Sequence, residues 1–103
     1  MKHETAAKIL SKIGNPTRLK IVRLLIRAGS DGLAVGELQR KLKMPGSTLT
    51  HHVTHLESAG IITKDRQQTT LICRVEYDVL RSLVDYLTDE CCVDAAANDR
   101  KTA

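Results

Sequence analysis

Apolar residues recur at intervals of three and four along five stretches of the chain, the spacing of amphipathic helices. These stretches predict helices over about residues 3–13, 16–28, 35–43, 47–59 and 77–90. Gly14, Gly29 and Gly60 follow three of the stretches and mark helix ends. A break at Met44-Pro45-Gly46 separates the third helix from the fourth. The second helix is apolar over most of its surface, which predicts that it is the most buried one.

Two short extended runs, residues 61–64 and 70–75, are joined by a polar connection. This pattern predicts a β-hairpin, although the connection lacks the usual Asn-Gly turn signal. The resulting order, α-α-α-α-β-β-α, is that of a mainly α winged helix-turn-helix with a small β-hairpin wing. We predict one folded domain over residues 1–93 and a flexible polar tail over 94–103.

The composition favours a small soluble domain that gains stability by pairing. The chain has 103 residues and neither Phe nor Trp, so its core must be aliphatic. A core of this size is marginal alone, and a dimer interface would supplement it. The sequence contains neither an apolar run long enough to span a membrane nor the apolar segment of a signal peptide. We therefore expect a cytoplasmic protein that does not contact a membrane.

Charge is distributed unevenly along the chain. Residues 1–65 carry 11 Lys and Arg against 5 Asp and Glu, whereas residues 66–103 carry 5 against 7. A basic first part suggests a polyanionic partner. A solvated surface of mixed sign explains the charge equally well, so the charge needs a motif beside it.

The fourth predicted helix supplies that motif. Leu49, Val53 and Leu56 fall on its inner face. Its remaining surface carries short polar side chains that donate and accept hydrogen bonds: Ser47, Thr48, Thr50, His51, His52, Thr54 and His55. Ser and Thr are poorer helix formers than Glu or Lys, so their presence makes sense if this face touches base edges and phosphates in a major groove. The bland alternative is a hydroxyl-rich surface helix with no partner.

Further DNA contacts are predicted on both sides of this helix. Arg40 and Lys43, near the end of the third helix, are placed to meet phosphates, and Arg66 and Gln67 at the hairpin tip to meet the adjacent minor groove. The histidines also admit a second interpretation, because two of them lie at i and i+4, the spacing of a zinc pair. The segment lacks the Glu of a zinc protease, and phosphate contact explains the histidines more simply.

Several segments together resemble the ArsR/SmtB family, and the resemblance covers about residues 5–90. They are Gly14-Asn15-Pro16-Thr17-Arg18-Leu19, Val35-Gly36-Glu37-Leu38, Ser47-Thr48-Leu49-Thr50-His51-His52-Val53, Leu56 and Ala59-Gly60-Ile61-Ile62. The family comprises small dimeric winged-helix repressors that leave their operators when a metal, metalloid or thiol oxidant binds. The resemblance implies a homodimer formed through the first and last helices, and double-stranded operator DNA with an imperfect palindrome as the partner.

Two inducer sites of that family find no match here. The arsenic or cadmium site on the third helix needs cysteines, and residues 33–37 contain none. The zinc or cobalt site on the last helix needs Asp and His, and residues 77–90 contain acids but no His. The cysteines elsewhere in the chain are therefore the remaining candidates for a sensor.

Three cysteines remain: the adjacent pair Cys91 and Cys92, and Cys73 in the second hairpin strand. Adjacent thiolates suit a soft ion. Methylated arsenic(III) has two positions free for sulfur, whereas inorganic arsenic(III) or antimony(III) prefers three, for which Cys73 is the only spare thiol. The intervening helix, about 20 Å long at 1.5 Å per residue, separates Cys73 from the pair within one chain, so a third ligand would have to come across a dimer. Alternatively, Cys73 is a small core residue, and the pair is a redox switch or inert.

The prediction is thus a repressor, not an enzyme, that releases its operator when trivalent arsenic, inorganic or methylated, or antimony binds cysteine thiolates. A repressor of the same family that senses thiol redox state or persulfide is the alternative. A thiol reductase is disfavoured because the cysteines lack Cys-x-x-Cys spacing and a βαβ context. A pure protein-interaction module would not need the hydroxyl and histidine face. The operator sequence and the choice among inducers stay open at this point.

Overall fold

The computed structural model describes residues 1–95, and the predicted order of elements is present with one strand added. The elements are α1 (His3–Ile13), α2 (Pro16–Ala28), β1 (Leu33–Ala34), α3 (Val35–Leu42), α4 (Gly46–Ser58), β2 (Ile62–Gln67), β3 (Thr70–Val75) and α5 (Tyr77–Thr88). A short 3-10 turn at Gly29–Asp31 links α2 to β1. The predicted tail begins within this range at Asp94, and residues 96–103 lie outside the described residues.

Local capping fixes the start of α2. The Asn15 side-chain oxygen accepts hydrogen bonds from the backbone N–H groups of Thr17 and Arg18, at 2.9 and 3.0 Å. Pro16 occupies the first helical position, where its missing N–H has no partner to lose. Asn15 and Pro16 therefore fix the start of α2 at residue 16, where the apolar pattern predicts it.

The strands form an antiparallel sheet in the order β1-β3-β2. Strand β2 continues to Gln67, three residues beyond its predicted end. The hydrophobic pattern predicts a strand end at Lys64 because the next residues are polar. Backbone pairing with β3 needs no apolar side chain, so the strand continues. Gln68 takes the left-handed conformation in the turn, with φ of 58°, where glycine would be usual.

Strand β1 was not predicted because two residues carry no periodicity. Leu33 and Ala34 pair with Cys73 and Ile72 of β3, which ties the wing to the start of α3. The Glu37 carboxylate accepts from the backbone N–H of Ala34 at 3.2 Å and so supports the start of α3.

The core is aliphatic, as the composition predicts. Its largest fully buried residues come from every helix except α5 and from the residues around the wing: Ile9, Ile21, Leu25, Leu38, Leu49, Leu56, Ile61, Ile62 and Cys73. Helix α5 contributes Leu83 to this core and leaves other apolar side chains exposed. In the part of the chain that the structure describes, every helix is too short or too polar to cross a membrane.

Candidate DNA-binding interface

Helices α3 and α4 are joined by a tight turn of the helix-turn-helix kind. Lys43 adopts a left-handed conformation after α3, and its N–H bonds to the Gln39 carbonyl. Pro45 precedes the first residue of α4, and its carbonyl accepts from Leu49 N–H at 3.1 Å. The left-handed residue stops α3 and the proline restarts the chain, so the turn sets the direction of α4 relative to the core.

The two sides of α4 differ as the sequence predicts. Leu49, Val53 and Leu56 are buried in the core. The opposite side is exposed and carries five of the predicted site residues, Ser47, Thr48, Thr50, His51 and Thr54. Because the buried leucines fix the rotation of α4, these five side chains are held outward as one polar surface, which we call the reading face.

His52 and His55 occupy a different position. Both are half-buried on the flank of α4 that faces α1 and α2. Lys12 Nζ donates to His55 Nδ1 over 2.9 Å, and Arg18 Nε donates to the Lys12 carbonyl oxygen over 2.6 Å. Sequence periodicity gives the angular position of a residue on its own helix but not which neighbouring helix packs against it. The contacts of Lys12 and Arg18 with this flank of α4 were therefore not predicted.

Both of these histidines favour the neutral form. Partial burial lowers the pKa of His52, and the nearby charges of Arg18 and His51 lower it further. For His55, partial burial again lowers the pKa, and Lys12 and the neighbouring bases add to the effect. A neutral His55 leaves Nδ1 free to accept from the Lys12 ammonium.

The side chains predicted to contact phosphates and the adjacent minor groove are also exposed. Arg40 and Lys43 lie at the end of α3, and Arg66 and Gln67 lie at the end of β2. Gln67 Nε2 donates to Asp65 Oδ2 over 3.3 Å, whereas Arg40, Lys43 and Arg66 are in no salt bridge within residues 1–95. Their side chains are therefore available to an external anion.

Two ion pairs involve side chains of the wing. Lys64 pairs with Glu57 of α4 at 3.1 Å, and Arg74 pairs with Asp65 at 3.3 Å. The first of these pairs braces β2 against α4.

A cavity of about 420 Å³ lies between α3, α4 and the wing. Arg40, Thr50 and Lys64 line it from these three elements. The reading face, the end of α3 and the wing therefore form one concave surface with a basic rim.

The cysteines separate into two environments. Cys73 is 0% exposed on β3, and burial raises the pKa of its thiol. Cys91 and Cys92 are exposed beyond the end of α5, with their sulfur atoms 3.3 Å apart. Across residues 1–95 no three His, Cys, Asp or Glu side chains come together as a metal site. One protomer thus offers a two-thiol site, and the prediction of Cys73 as a third ligand gains no support from it.

The chain is similar to known regulators over most of its length. A family model described as a helix-turn-helix domain matches residues 13–65. An uncharacterised HTH-type transcriptional regulator from Methanocaldococcus jannaschii is 35% identical over 89 residues, which cover 86% of this chain and 97% of that protein. A putative arsenical resistance operon repressor from Halobacterium salinarum is 36% identical over 61 residues, covering 59% of this chain and 46% of that protein.

A solved structure supports the same fold. The homodimeric winged helix-turn-helix DNA-binding domain of a possible ArsR-family regulator from Mycobacterium bovis superposes with a TM-score of 0.69. Its sequence is 28% identical, and the match covers 84% of this chain and 81% of that one. The predicted fold class is confirmed.

The helix-turn-helix, the wing and the outward polar face define a winged helix-turn-helix DNA-binding protein. The chain belongs to the helix-turn-helix transcriptional regulators, and it shares its winged fold with a possible ArsR-family member. Its relatives and its fold are those of regulators and not of enzymes, as predicted.

Proposed function

We propose that this regulator is a homodimeric repressor that leaves its operator when a thiol-binding ion occupies Cys91 and Cys92. The observation that carries the proposal is the division of α4 into a buried apolar side and an outward reading face. A surface of short hydroxyl and imidazole groups suits the edges of bases, which offer donors and acceptors at close range. Arg40 and Lys43 then contact phosphates beside the groove, and Arg66 and Gln67 the adjacent minor groove.

The dimer is proposed from the apolar residues that α1 and α5 leave uncovered. Leu10, Val84 and Leu87 are 43%, 60% and 57% exposed. Each is a large aliphatic side chain whose burial is worth about 1.5–3 kcal/mol. The Mycobacterium bovis domain with this fold is described as homodimeric. Pairing through α1 and α5 covers these residues and sets the spacing between the two copies of α4, which matches an imperfectly palindromic operator.

The inducer is proposed from the geometry of the thiol pair. Two thiols whose sulfurs are 3.3 Å apart are suited to chelate one arsenic(III). Methylarsenous acid, CH3As(OH)2, reacts with two thiols to give CH3As(SR)2 and two water molecules, with no change in oxidation state. Inorganic arsenite or antimonite needs a third sulfur, so we propose that the organic form binds more tightly. The resemblance to the Halobacterium protein, named a putative arsenical resistance operon repressor, supports this class of inducer.

Release follows if the ion changes the dimer. The thiol pair follows α5, which carries two of the exposed apolar residues. Drawing the end of α5 around an ion alters the packing of that helix and hence the spacing of the two reading faces. A change of about 1.4 kcal/mol in differential binding lowers DNA affinity tenfold, so a modest shift is enough.

A redox sensor is the second candidate, and the same pair of exposed, adjacent sulfurs favours it. Hydrogen peroxide accepts two electrons and two protons from Cys91 and Cys92, which forms one S–S bond and yields two water molecules. A persulfide donor modifies the same thiols. Both candidates use the same DNA surface and differ only in the inducing chemistry.

A gel-shift titration tests the function. The probe is the duplex upstream of the gene for this chain, and the additions are methylarsenite, arsenite, antimonite, peroxide and a persulfide donor. We expect the wild type to bind the duplex and to release it with the arsenicals, methylarsenite at the lowest concentration. Cys91→Ser/Cys92→Ser should bind and not release, whereas Cys73→Val, which keeps the core apolar, should release normally. Release by peroxide or persulfide alone would overturn the arsenic proposal in favour of the redox sensor, and absence of DNA binding would overturn both.

A further inference from the structure

Four side chains from three helices meet on the flank of α4, and we call them the cationic cluster. Its members are Lys12 of α1, Arg18 of α2, and His52 and His55 of α4, and all four are half-buried. Hydrogen bonds already described link Lys12 to His55 and Arg18 to the backbone of Lys12. The cluster therefore has a defined geometry and is not a set of independent surface charges.

The cationic cluster lacks a matching negative charge. Among residues 1–95, no carboxylate lies within ion-pair distance of Lys12 or Arg18. The groups whose charges lower the pKa values of His52 and His55 are all bases: Lys12, Arg18, His51 and, for His55, His52. His52 Nδ1 is also buried without a hydrogen-bond partner among the described residues. Half-buried cations beside an unsatisfied polar atom are stabilised by an external anion.

The position of the cationic cluster beside the reading face indicates that the external anion is a phosphate of the bound DNA. His51, on the reading face, has its ring centroid 4.6 Å from that of His55 and 5.9 Å from that of His52. The reading face and the cationic cluster are therefore continuous around α4. When a helix lies in the major groove, the sugar-phosphate backbone borders its flanks. In the proposed docking, the flank that carries Lys12 and His55 adjoins a backbone phosphate.

We propose that Lys12, Arg18 and His55, with His52 behind them, form a phosphodiester-binding site beside the reading face, and that DNA binding at this site takes up a proton. The inference rests on the proposed docking of α4 in the groove. It extends the interface to α1 and α2, beyond the helix-turn-helix and the wing.

Proton uptake follows from the contact between Lys12 and His55. In the free protein His55 accepts a hydrogen bond from the Lys12 ammonium and is neutral, since partial burial and the surrounding bases lower its pKa. A phosphate oxygen in the cluster attracts the ammonium and favours the imidazolium, which then donates to the phosphate. The histidine pKa is thus higher in the complex than in the free protein. DNA affinity therefore rises as the pH falls through the range between the two values.

Fluorescence anisotropy with a labelled duplex of mixed sequence tests the site, because phosphate contacts do not depend on sequence. Each lost phosphate contact reduces the slope of log affinity against log salt by about 0.9. We expect Lys12→Gln to show this reduction together with about a tenfold loss of affinity, since one charge-assisted contact is worth at least about 1.4 kcal/mol. Lys12→Arg should restore the slope. Lys20→Gln removes the same charge from an exposed position on α2 and serves as the matched control.

The pH series tests the coupling. We expect wild-type affinity to rise from about pH 8 to about pH 6, and the rise to be smaller in His55→Gln, while Lys20→Gln behaves as wild type. An unchanged salt slope in Lys12→Gln, or an equal pH response in His55→Gln, would overturn the inference. If the wild type binds no duplex, the proposed function fails instead. If the wild type binds the duplex and Lys12→Gln binds it with the same affinity and salt slope, only the phosphodiester site is refuted.

Discussion

Replacing Gly32 with alanine tests how closely the wing approaches the rest of the domain. Gly32 precedes β1 and has φ of 69° and ψ of −168°, a combination that essentially only glycine adopts. A Cβ at this position would lie 2.3 Å from the carbonyl oxygen of Cys73 and 2.8 Å from Cγ of Arg74. The arginine side chain can move aside, but the Cys73 carbonyl belongs to the central strand of the sheet. The substitution therefore forces β1 away from β3.

The expected loss of folding free energy in Gly32→Ala has two parts. The backbone conformation costs a residue with a Cβ about 1–3 kcal/mol, and the clash with packed backbone adds about 1–3 kcal/mol. Gly29→Ala separates the parts, because Gly29 has φ of 72° and ψ of −154° but its Cβ would meet nothing within 4 Å. We expect Gly29→Ala to lose only the first part and Gly32→Ala the sum, about 2–6 kcal/mol, a large share of the roughly 5–15 kcal/mol that stabilises a typical domain.

Urea unfolding followed by circular dichroism measures both variants. The change in unfolded-chain entropy on replacing glycine by alanine is the same at the two positions and cancels in their difference. A Gly32→Ala variant no less stable than Gly29→Ala would refute the close approach of β1 to β3. A clearly larger loss in Gly32→Ala, with an unchanged denaturant slope, is the expected result.

Three other predictions concern stability, thiol reactivity and assembly. Folding lowers the pKa values of His52 and His55, so as the pH falls the unfolded chain binds protons at these histidines before the folded chain does. Protonation therefore favours unfolding. The melting temperature should fall when the pH is lowered from about 7.5 to about 5, and it should fall less in His52→Gln. An equal fall in that variant would contradict this assignment. Iodoacetamide should alkylate the exposed Cys91–Cys92 pair rapidly and Cys73 only on unfolding, which mass spectrometry of the modified peptides checks; rapid labelling of Cys73 in the native protein would contradict its burial. Leu87→Asp should convert the proposed dimer to a monomer in analytical ultracentrifugation, and an intact dimer would place the interface elsewhere.

The fold was predictable because its helices are strongly periodic. The spacing of Leu49, Val53 and Leu56 was enough to orient α4, and the structure buries all three. Strand β1 and the far half of β2 were not predictable, since backbone pairing rather than side-chain pattern creates them. The helices could therefore be predicted from the sequence, but only part of the wing could.

The candidate site was predictable to the extent that it lies on one helix. Residues of α4 that point away from the core follow from helix geometry, whereas contacts between helices depend on packing that no local pattern encodes. Lys12 and His55 are 43 residues apart in the chain and meet only because α1 crosses α4. The burial of Cys73 is likewise a tertiary property, and it agrees with the alternative that this cysteine is a small core residue.

Selection of duplexes from a random pool tests the central claim, that the reading face of α4 recognises operator DNA. We expect wild-type protein to enrich an imperfect palindrome whose half-sites are separated by about 10 base pairs, one helical turn, or by a multiple of this. Thr50→Ala/His51→Ala should lose this preference while keeping salt-dependent binding, and Thr5→Ala, an exposed threonine of α1, should retain it. Enrichment of the same palindrome by the Thr50→Ala/His51→Ala variant, or of no sequence by the wild type, would show that the reading face does not recognise an operator.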